Sequence, residues 1–128
     1  MSDERLDYLS ADDILDIAAW VLAKLEVRDI GLLESAASRP RTSAFGTDAY
    51  PSFAEKVASL IHSLARNHPL VDGNKRLAWS AGRVFCLLNG RDLELSVDEA
   101  EALIVGTAKG ELDVRALAAR TVRALREA

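Results

Sequence analysis

The sequence predicts an all-α protein, a compact bundle of about six helices with one short flap loop or hairpin. Apolar residues recur with a period near 3.6 residues in most segments, as they do on the buried face of a helix. Serine or aspartate stands where these segments begin, and glycine or proline stands where they end. The 128 residues suit one domain, 1–128, that buries roughly 65–70% of its unfolded surface.

The first helix is expected to begin after Ser10, whose side chain can cap it. Asp12 and Asp13 would lie in its first turn, where the helix dipole favours negative charge. Trp20 is expected to be buried with the apolar residues of this helix. A second, short helix is expected over residues 30–37. The apolar positions of the two helices are Ile14, Leu15, Ile17, Ala18, Val21, Leu22 and Leu25, then Ile30, Leu32, Leu33 and Ala36.

Residues 38–51 contain two prolines and one glycine and have no helical period. Loops of about a dozen residues inside compact domains are often functional. Pro40 lies between Arg39 and Arg41, which is unusual for a simple connector. We therefore expect a functional loop at about residues 39–51.

Two longer helices should follow this loop. Ser52 and Glu55 form a capping-box pattern at the start of the first. Pro69 should end this helix, because the residue before a proline avoids the helical conformation. The second is expected over about residues 74–88, with Gly90 as a left-handed stop.

The C-terminal part of the chain continues the helical pattern. Residues 92–95 are expected to form a short extended link. Ser96 and Glu99 form another capping box, Gly110 breaks the chain, and Asp113 can cap a last helix. These signals complete a bundle of about six helices.

Composition excludes several classes of protein. An apolar content of 49% with a net charge of −4 argues against disorder, and a single cysteine excludes an internal disulfide framework. The N-terminus is polar, without a signal-type apolar stretch, and no apolar run approaches the ~20 residues of a membrane span. We therefore expect a cytoplasmic protein that binds neither membranes nor, directly, nucleic acid.

Charge is segregated along the chain. Residues 39–91 carry eight basic and three acidic side chains, whereas both flanking segments are acidic. A local anion site in this central segment is therefore compatible with the acidic balance of the whole chain.

The densest chemistry lies at residues 68–76, His-Pro-Leu-Val-Asp-Gly-Asn-Lys-Arg, between two predicted helices. His68 can take a proton from a hydroxyl near neutral pH, and Asp72 can hold Mg²⁺ or cap the next helix. Gly73 opens a helix whose first N–H groups attract phosphate. Lys75 and Arg76 add two cations. This combination suits phosphoryl or nucleotidyl transfer.

A purely structural interpretation of the same residues is also open. Asp-Gly-Asn is common in turns, and Asp72 can simply cap a helix. Lys75 and Arg76 would then be solvated cations, and His68 would be a surface residue.

The nine residues resemble the signature of the Fic/Doc family, His-x-Phe-x-Asp/Glu-Gly/Ala-Asn-Gly/Lys-Arg. The run of residues 31–36, the Arg39-Pro40 loop, Lys56 and Asn89-Gly90 also resemble Doc-type members of this family. The resemblance covers about residues 28–95, which includes the signature loop and helix at 68–88.

The resemblance implies an all-α core and the transfer of part of a nucleotide to a protein hydroxyl. By its place in the motif, His68 would be the catalytic base, and Asp72 would help to hold Mg²⁺. Four residues would bind the phosphates of ATP: Gly73, Asn74, Lys75 and Arg76. Three residues would belong to a flap that positions the target segment by backbone pairing: Arg39, Pro40 and Arg41.

Three positions differ from the pattern of AMP-transferring members. Lys75 stands where those members have glycine, and Trp79 stands where they usually have a further arginine. The Doc type shares this lysine, binds ATP in the reverse direction and transfers the γ-phosphoryl group to elongation factor Tu. Leu70 replaces the phenylalanine that anchors the loop in the core, so the anchor stays apolar but becomes smaller.

The resemblance therefore implies a toxin kinase that phosphorylates a translation factor, expected to be elongation factor Tu, and so arrests translation with ATP and Mg²⁺. The inhibitory helix motif of many members has only a chance match at residues 107–112. The resemblance instead implies an external inhibitor, a Phd-like antitoxin whose tail folds on binding. Two alternatives stay open: nucleotidylyl (AMP) transfer to a protein hydroxyl, and a non-enzymatic all-α binding module.

Other residues give weaker signals. His62 is expected to be structural, and Cys86 is expected to be buried and inert. Trp79 is expected in the core or at the border of the nucleotide cleft. Lys56 is expected either in the cleft or on a solvated surface.

Overall fold

The computed structural model describes residues 5–128, and this part of the chain contains six α-helices. The helices are α1 (Ala11–Val21), α2 (Ile30–Ser38), α3 (Phe53–Asn67), α4 (Asn74–Leu88), α5 (Val97–Ala108) and α6 (Val114–Ala124). A 3₁₀ turn (Arg39–Arg41) and a hairpin of β1 (Ser43–Ala44) and β2 (Thr47–Asp48) connect α2 to α3. A second antiparallel pair joins β3 (Arg91–Leu93) to β4 (Leu125–Glu127). The predicted all-α bundle with a short hairpin is confirmed.

Local capping sets most of the helix boundaries. Ser10, Ser52 and Ser96 each close a capping box at the start of α1, α3 and α5. The Asp113 carboxylate accepts a backbone N–H at the start of α6. Each such cap contributes about 1 kcal/mol. Gly90 ends α4 in the left-handed conformation with a φ of 76°.

The central element of the bundle is α3, which packs against α2, α4, α5 and α6. Ten of its 15 residues are buried. Its approach to α4 depends on Gly82, because a Cβ atom there would lie 2.6 Å from Cδ1 of Ile61. The backbone of α4 at Gly82 therefore packs directly against the Ile61 side chain of α3.

The buried face of α3 also carries polar side chains, including Lys56, Ser59 and Ser63.

At 15 residues each, α3 and α4 are the longest helices of the described chain. Within residues 5–128, none of the helices combines the length and the apolar character needed to cross a membrane.

The β3–β4 pair at the end of the chain is not predicted by the sequence. An extended link is predicted at residues 92–95, which overlap β3, but no partner strand is predicted at Leu125–Glu127. Leu93 is paired with Leu125, so the strand depends on a contact between residues far apart in sequence.

The prediction that Trp20 is buried is wrong, because its side chain is 88% exposed. Ile14 and Ala18 are the fully buried residues of α1. Trp20 follows Ala18 by two residues, or about 200° around the helix axis, which places it on the solvent side.

Candidate active site

The turn between α3 and α4 carries His68, which is the C-cap of α3. Its backbone is left-handed, with φ 55° and ψ 63°, and the residue is exposed. Pro69 explains why the helix stops here, since the residue before a proline avoids the right-handed helical region. A positive φ is uncommon for a residue other than glycine, so the surroundings must hold this conformation.

The inside of the turn is held by Leu70 and Asn74. Leu70 is 1% exposed, and it supplies the apolar anchor of the loop. Its backbone N–H donates to Oδ1 of Asn74 at 2.9 Å, and its carbonyl accepts from Nδ2 of Asn74 at 2.9 Å. The Asn74 side chain therefore fixes the loop, and it is the backbone N–H of this residue that stands at the helix N-terminus.

The outside of the turn is held by the segment before α2. The N–H groups of Arg28 and Asp29 donate to the carbonyl of Pro69, at 2.8 and 3.0 Å. The Arg28 side chain donates from Nε to the carbonyl of His68 at 2.7 Å and from Nη2 to the carbonyl of Asn67 at 2.8 Å. Sequence reasoning did not identify Arg28, because no spacing rule links a residue in this segment to a turn 40 positions later.

Gly73 is the N-cap of α4 and has a φ of 88°. A Cβ atom on Gly73 would lie 2.6 Å from Cδ2 of Leu22, so glycine is required both by the backbone and by the neighbour. No side chain among the described residues caps this helix. The first N–H groups of a helix have no partner within it, and they form a site suited to phosphate. The N–H of Gly73 itself donates to Oδ1 of Asp72 at 2.9 Å.

His68 and residues 72–76 line one open cleft of about 1420 Å³. Lys75 and Arg76 are exposed at its edge, and Nη1 of Arg76 lies 3.5 Å from the carbonyl of Val21. Trp79 is half-buried, packs on the core and lines the same cleft, as predicted. The structure thus brings into one cleft the side chains of His68, Asp72, Lys75 and Arg76 and the N-terminus of α4, which the motif predicts to act together.

The carboxylate of Asp72 suits a magnesium ion that is shared with a substrate. Among residues 5–128, no group of three or more His, Cys, Asp or Glu side chains could hold a metal ion by itself. Mg²⁺ usually binds through one or two carboxylates together with substrate phosphates. Asp72, exposed beside an uncapped helix N-terminus, fits that donor set.

Arg39 lies at the base of the flap and is occupied by contacts within the protein. Its Nε donates to the Tyr50 hydroxyl at 2.8 Å, and Nη1 lies 3.0 Å from both Nδ1 of His62 and Oγ of Ser63. His62 is therefore structural, as predicted. Arg39 joins the flap to α3, and the described residues that line the cleft do not include it.

Lys56 lies neither in the cleft nor on a solvated surface, so both expectations for it are wrong. The residue is 4% exposed beneath the flap. Its Nζ donates to the Pro40 carbonyl and to Oδ2 of Asp48, each at 3.3 Å. Pro40 is buried as well. A buried ammonium group needs such partners, and here they belong to both ends of the flap hairpin.

The rest of the flap is exposed. Arg41 is exposed, with its guanidinium 5.2 Å from the centre of the Tyr8 ring. Phe45 and Gly46 form the tip of the hairpin, both with positive φ, and the Phe45 side chain is fully exposed. The hairpin consists of only two short strands, so its outer backbone edges are open to another chain.

Cys86 is fully buried in the core, as predicted. Burial raises the pKa of its thiol to about 12, and the nearby negative charge of Asp92 adds to this effect. A thiol that stays protonated is neither a nucleophile nor a metal ligand at neutral pH. Cys86 is therefore part of the packing and not of the site.

The fold and the site together define the class of protein. The Fic/Doc family model matches residues 8–86, which include the flap, His68 and the start of α4. The chain therefore belongs to the Fic/Doc family of transferases, which use a nucleotide.

A curated relative shows which members of the family the chain is similar to. This chain is 44% identical over 116 residues to the protein "Toxin Doc" of Mycolicibacterium smegmatis. The alignment covers 88% of this chain and 89% of that protein. The similarity thus extends beyond the signature motif to nearly the whole length of both chains.

Proposed function

We propose that this protein is a Doc-type toxin kinase that transfers the γ-phosphoryl group of ATP to a hydroxyl of a translation factor, elongation factor Tu, and so arrests translation. The observation that carries the proposal is the presence of Lys75 directly after the uncapped N-terminus of α4, in the same cleft as His68. The similarity to a curated Doc toxin supports it.

Phosphate recognition would use the first turn of α4. The positive end of the helix dipole and the free N–H groups after Gly73 favour an anion there. Lys75 and Arg76 add two side-chain cations at the same edge of the cleft. The Lys75 side chain occupies space that a glycine would leave open, which favours the reversed nucleotide that the Doc type binds.

The transfer itself needs a base for the attacking hydroxyl. An Nδ1 or Nε2 lone pair of His68 would take the proton of the target hydroxyl while its oxygen bonds to the γ-phosphorus. The bond from that phosphorus to the bridging oxygen breaks, and ADP leaves. Mg²⁺, held by Asp72 and phosphate oxygens, would neutralise charge on the phosphates.

The flap would position the target. Lys56 and Arg39 fix its two ends to α3, whereas the hairpin edges and the Phe45 side chain are exposed. An extended target segment can add to such an edge through backbone hydrogen bonds. Arg41 is the flap cation that remains at the surface.

The same proposal includes a partner that restrains the toxin. A Phd-like antitoxin with a tail that folds on binding would meet this need in the cytoplasm, and the relative named as a Doc toxin supports it. Co-expression with a Phd-like antitoxin should restore growth of a host that expresses this chain. Continued arrest would count against that partner.

The position of the label separates phosphoryl from AMP transfer. The purified protein is incubated with a bacterial extract, and separately with purified elongation factor Tu, with ATP labelled at either the α- or the γ-phosphate. We expect γ-label alone to enter the factor. Label from the α-position alone would establish AMP transfer, the alternative supported by the family at large, and no labelled protein would overturn both.

Variants test the assigned residues. His68→Ala should abolish labelling, and Lys75→Gly should reduce γ-transfer, because the reversed nucleotide loses its cation. Lys109→Ala is the matched control, since Lys109 is an exposed lysine at the end of α5. Equal labelling by His68→Ala and the unsubstituted protein would contradict the proposed role of the histidine.

A further inference from the structure

Two peptide groups flank the Cα atom of His68, and one guanidinium group binds the carbonyls of both. Nη2 of Arg28 donates to the Asn67 carbonyl at 2.8 Å, and Nε of Arg28 donates to the His68 carbonyl at 2.7 Å. The Asn67 carbonyl lies in the peptide plane before His68, whose orientation is set by φ of His68. The His68 carbonyl lies in the peptide plane after it, whose orientation is set by ψ. A planar donor with fixed spacing between its nitrogens therefore restrains both angles together.

This restraint acts on a conformation that needs one. His68 has φ 55° and ψ 63°, which is the left-handed region. A residue other than glycine occupies this region at a cost of about 1–3 kcal/mol. The two carbonyls also stand at the C-terminal end of α3, where backbone acceptors lack helical partners and a cation is favoured. Arg28 meets both requirements from outside the helix.

The backbone that carries the Arg28 side chain is itself fixed against the turn. The N–H groups of Arg28 and Asp29 donate to the Pro69 carbonyl, and the N–H of Val71 donates to the Glu26 carbonyl at 3.0 Å. Val27 and Leu70 form an antiparallel bridge in the same place. The Asp29 side chain then caps α2, which fixes the direction in which the segment leaves.

We propose that Arg28 is a positioning residue for His68, which holds the imidazole in its orientation toward the cleft by fixing the two peptide planes on either side of it. Arg28 does not line the cleft among the described residues, so it acts through the backbone and not on the nucleotide. The inference rests on the proposed transfer reaction at His68.

Three variants separate positioning from simple stabilisation. Arg28→Ala removes both donors. Arg28→Lys keeps the charge at the end of α3 but offers one ammonium group where two spaced donors are needed. Arg66→Ala is the matched control, because Nη1 of Arg66 likewise donates to a carbonyl at the end of a helix, that of Ala108 in α5, at 3.0 Å.

The kinetic measurement is label transfer by protein shown to be folded by circular dichroism. Arg28→Ala should lower kcat by about 100-fold, the scale for a displaced catalytic group, and leave the KM for ATP unchanged. Arg28→Lys should show a smaller loss, and Arg66→Ala none. Unchanged kcat in both folded Arg28 variants would overturn the proposal, and if Arg28→Ala does not fold, Arg28→Lys decides.

A second measurement does not depend on activity. His62 and His68 are the two histidines of the chain, so histidine-labelled protein gives two resolvable sets of NMR signals. The Cα and Cβ shifts of His68 should report a left-handed residue in the unsubstituted protein and in Arg66→Ala, and should move toward extended values in Arg28→Ala. Unmoved shifts overturn the positioning role, whereas moved shifts with no transfer from ATP by the unsubstituted protein would instead remove the proposed function.

Discussion

Nη1 of Arg39 lies 3.0 Å from Nδ1 of His62, and this contact joins the base of the flap to the middle of α3. A guanidinium group can only donate, so Nδ1 of His62 must accept, and the ring proton must be on Nε2. The contact therefore requires a neutral His62. The position of the flap is thereby linked to the protonation state of a residue outside the cleft.

The stability of the protein should fall as His62 is protonated. Burial lowers the pKa of His62 below 6.5, the positive charges of Arg39 and Arg66 lower it further, and Asp113 opposes them. Below pH 6.5 the unfolded chain takes up the proton before the folded one, so this contribution is present above pH 6.5 and is lost as the pH falls through the folded pKa. Urea unfolding at a series of pH values measures it.

The control for this prediction is His62→Gln, which keeps an acceptor for Arg39 but does not titrate. The free energy of unfolding of the unsubstituted protein should fall relative to that of His62→Gln as the solution is made acidic. Parallel pH profiles for the two proteins would show that His62 does not couple to folding.

Removing the charge of Lys56 should loosen the flap. Lys56→Met keeps the apolar stem but leaves the Pro40 carbonyl without its donor, which should cost about 1–3 kcal/mol of stability. The flap amide of Ala49, which donates to the Thr42 carbonyl, should exchange its hydrogen faster. Lys109→Met, at an exposed site, should change neither quantity. Unaltered exchange at Ala49 in Lys56→Met would refute the role assigned to this lysine.

Gly73→Ala should be more destabilising than Gly90→Ala. Both glycines have positive φ, 88° and 76°, so both substitutions carry a backbone penalty of about 1 kcal/mol. A Cβ on Gly73 additionally meets Leu22 at 2.6 Å, whereas one on Gly90 meets no atom within 4 Å. Chemical denaturation measures the difference, and calorimetry should show weaker ATP binding for Gly73→Ala alone. Equal losses at both sites would mean that Leu22 moves aside freely.

The thiol of Cys86 should be inert in the folded protein. Its pKa is raised to about 12 from an ordinary value of 9.0, so the folded state retains the proton over a range in which the unfolded chain loses it. Stability should therefore decline as the pH rises above 9.0. At neutral pH, an aromatic disulfide reagent should label Cys86 only as fast as the protein unfolds. Rapid labelling of the native protein would contradict this expectation.

The features that were predicted correctly depend on residues close together in sequence. Ser52 and Glu55 form their capping box within one helical turn, and Pro69 and Gly90 restrict the backbone at or next to their own positions. The helix over residues 74–88 was predicted with its observed bounds for this reason. The proximity of His68 to residues 72–76 was predictable too, because a single turn joins them.

The features that were missed depend on residues far apart. Trp20 lies on a helix of regular apolar period, and only the packing of α1 on α2 and α4 decides which side is buried. Lys56 is a charged residue of a helix, a position that is usually solvated, and it is buried here because the flap packs over it. The strand at Leu125–Glu127 exists because Arg91–Leu93 offers it a partner.

By itself the sequence determined the bundle of helices, the limits of most of them, and the group of residues that we propose to bind phosphate and to move a proton. Only the tertiary structure decided how that group is held: Arg28 outside the turn, Asn74 inside it, and Lys56 and Arg39 beneath the flap. The physical reason is that capping and proline effects act within a few residues, whereas a buried charge or a restrained peptide plane needs partners that only folding brings near.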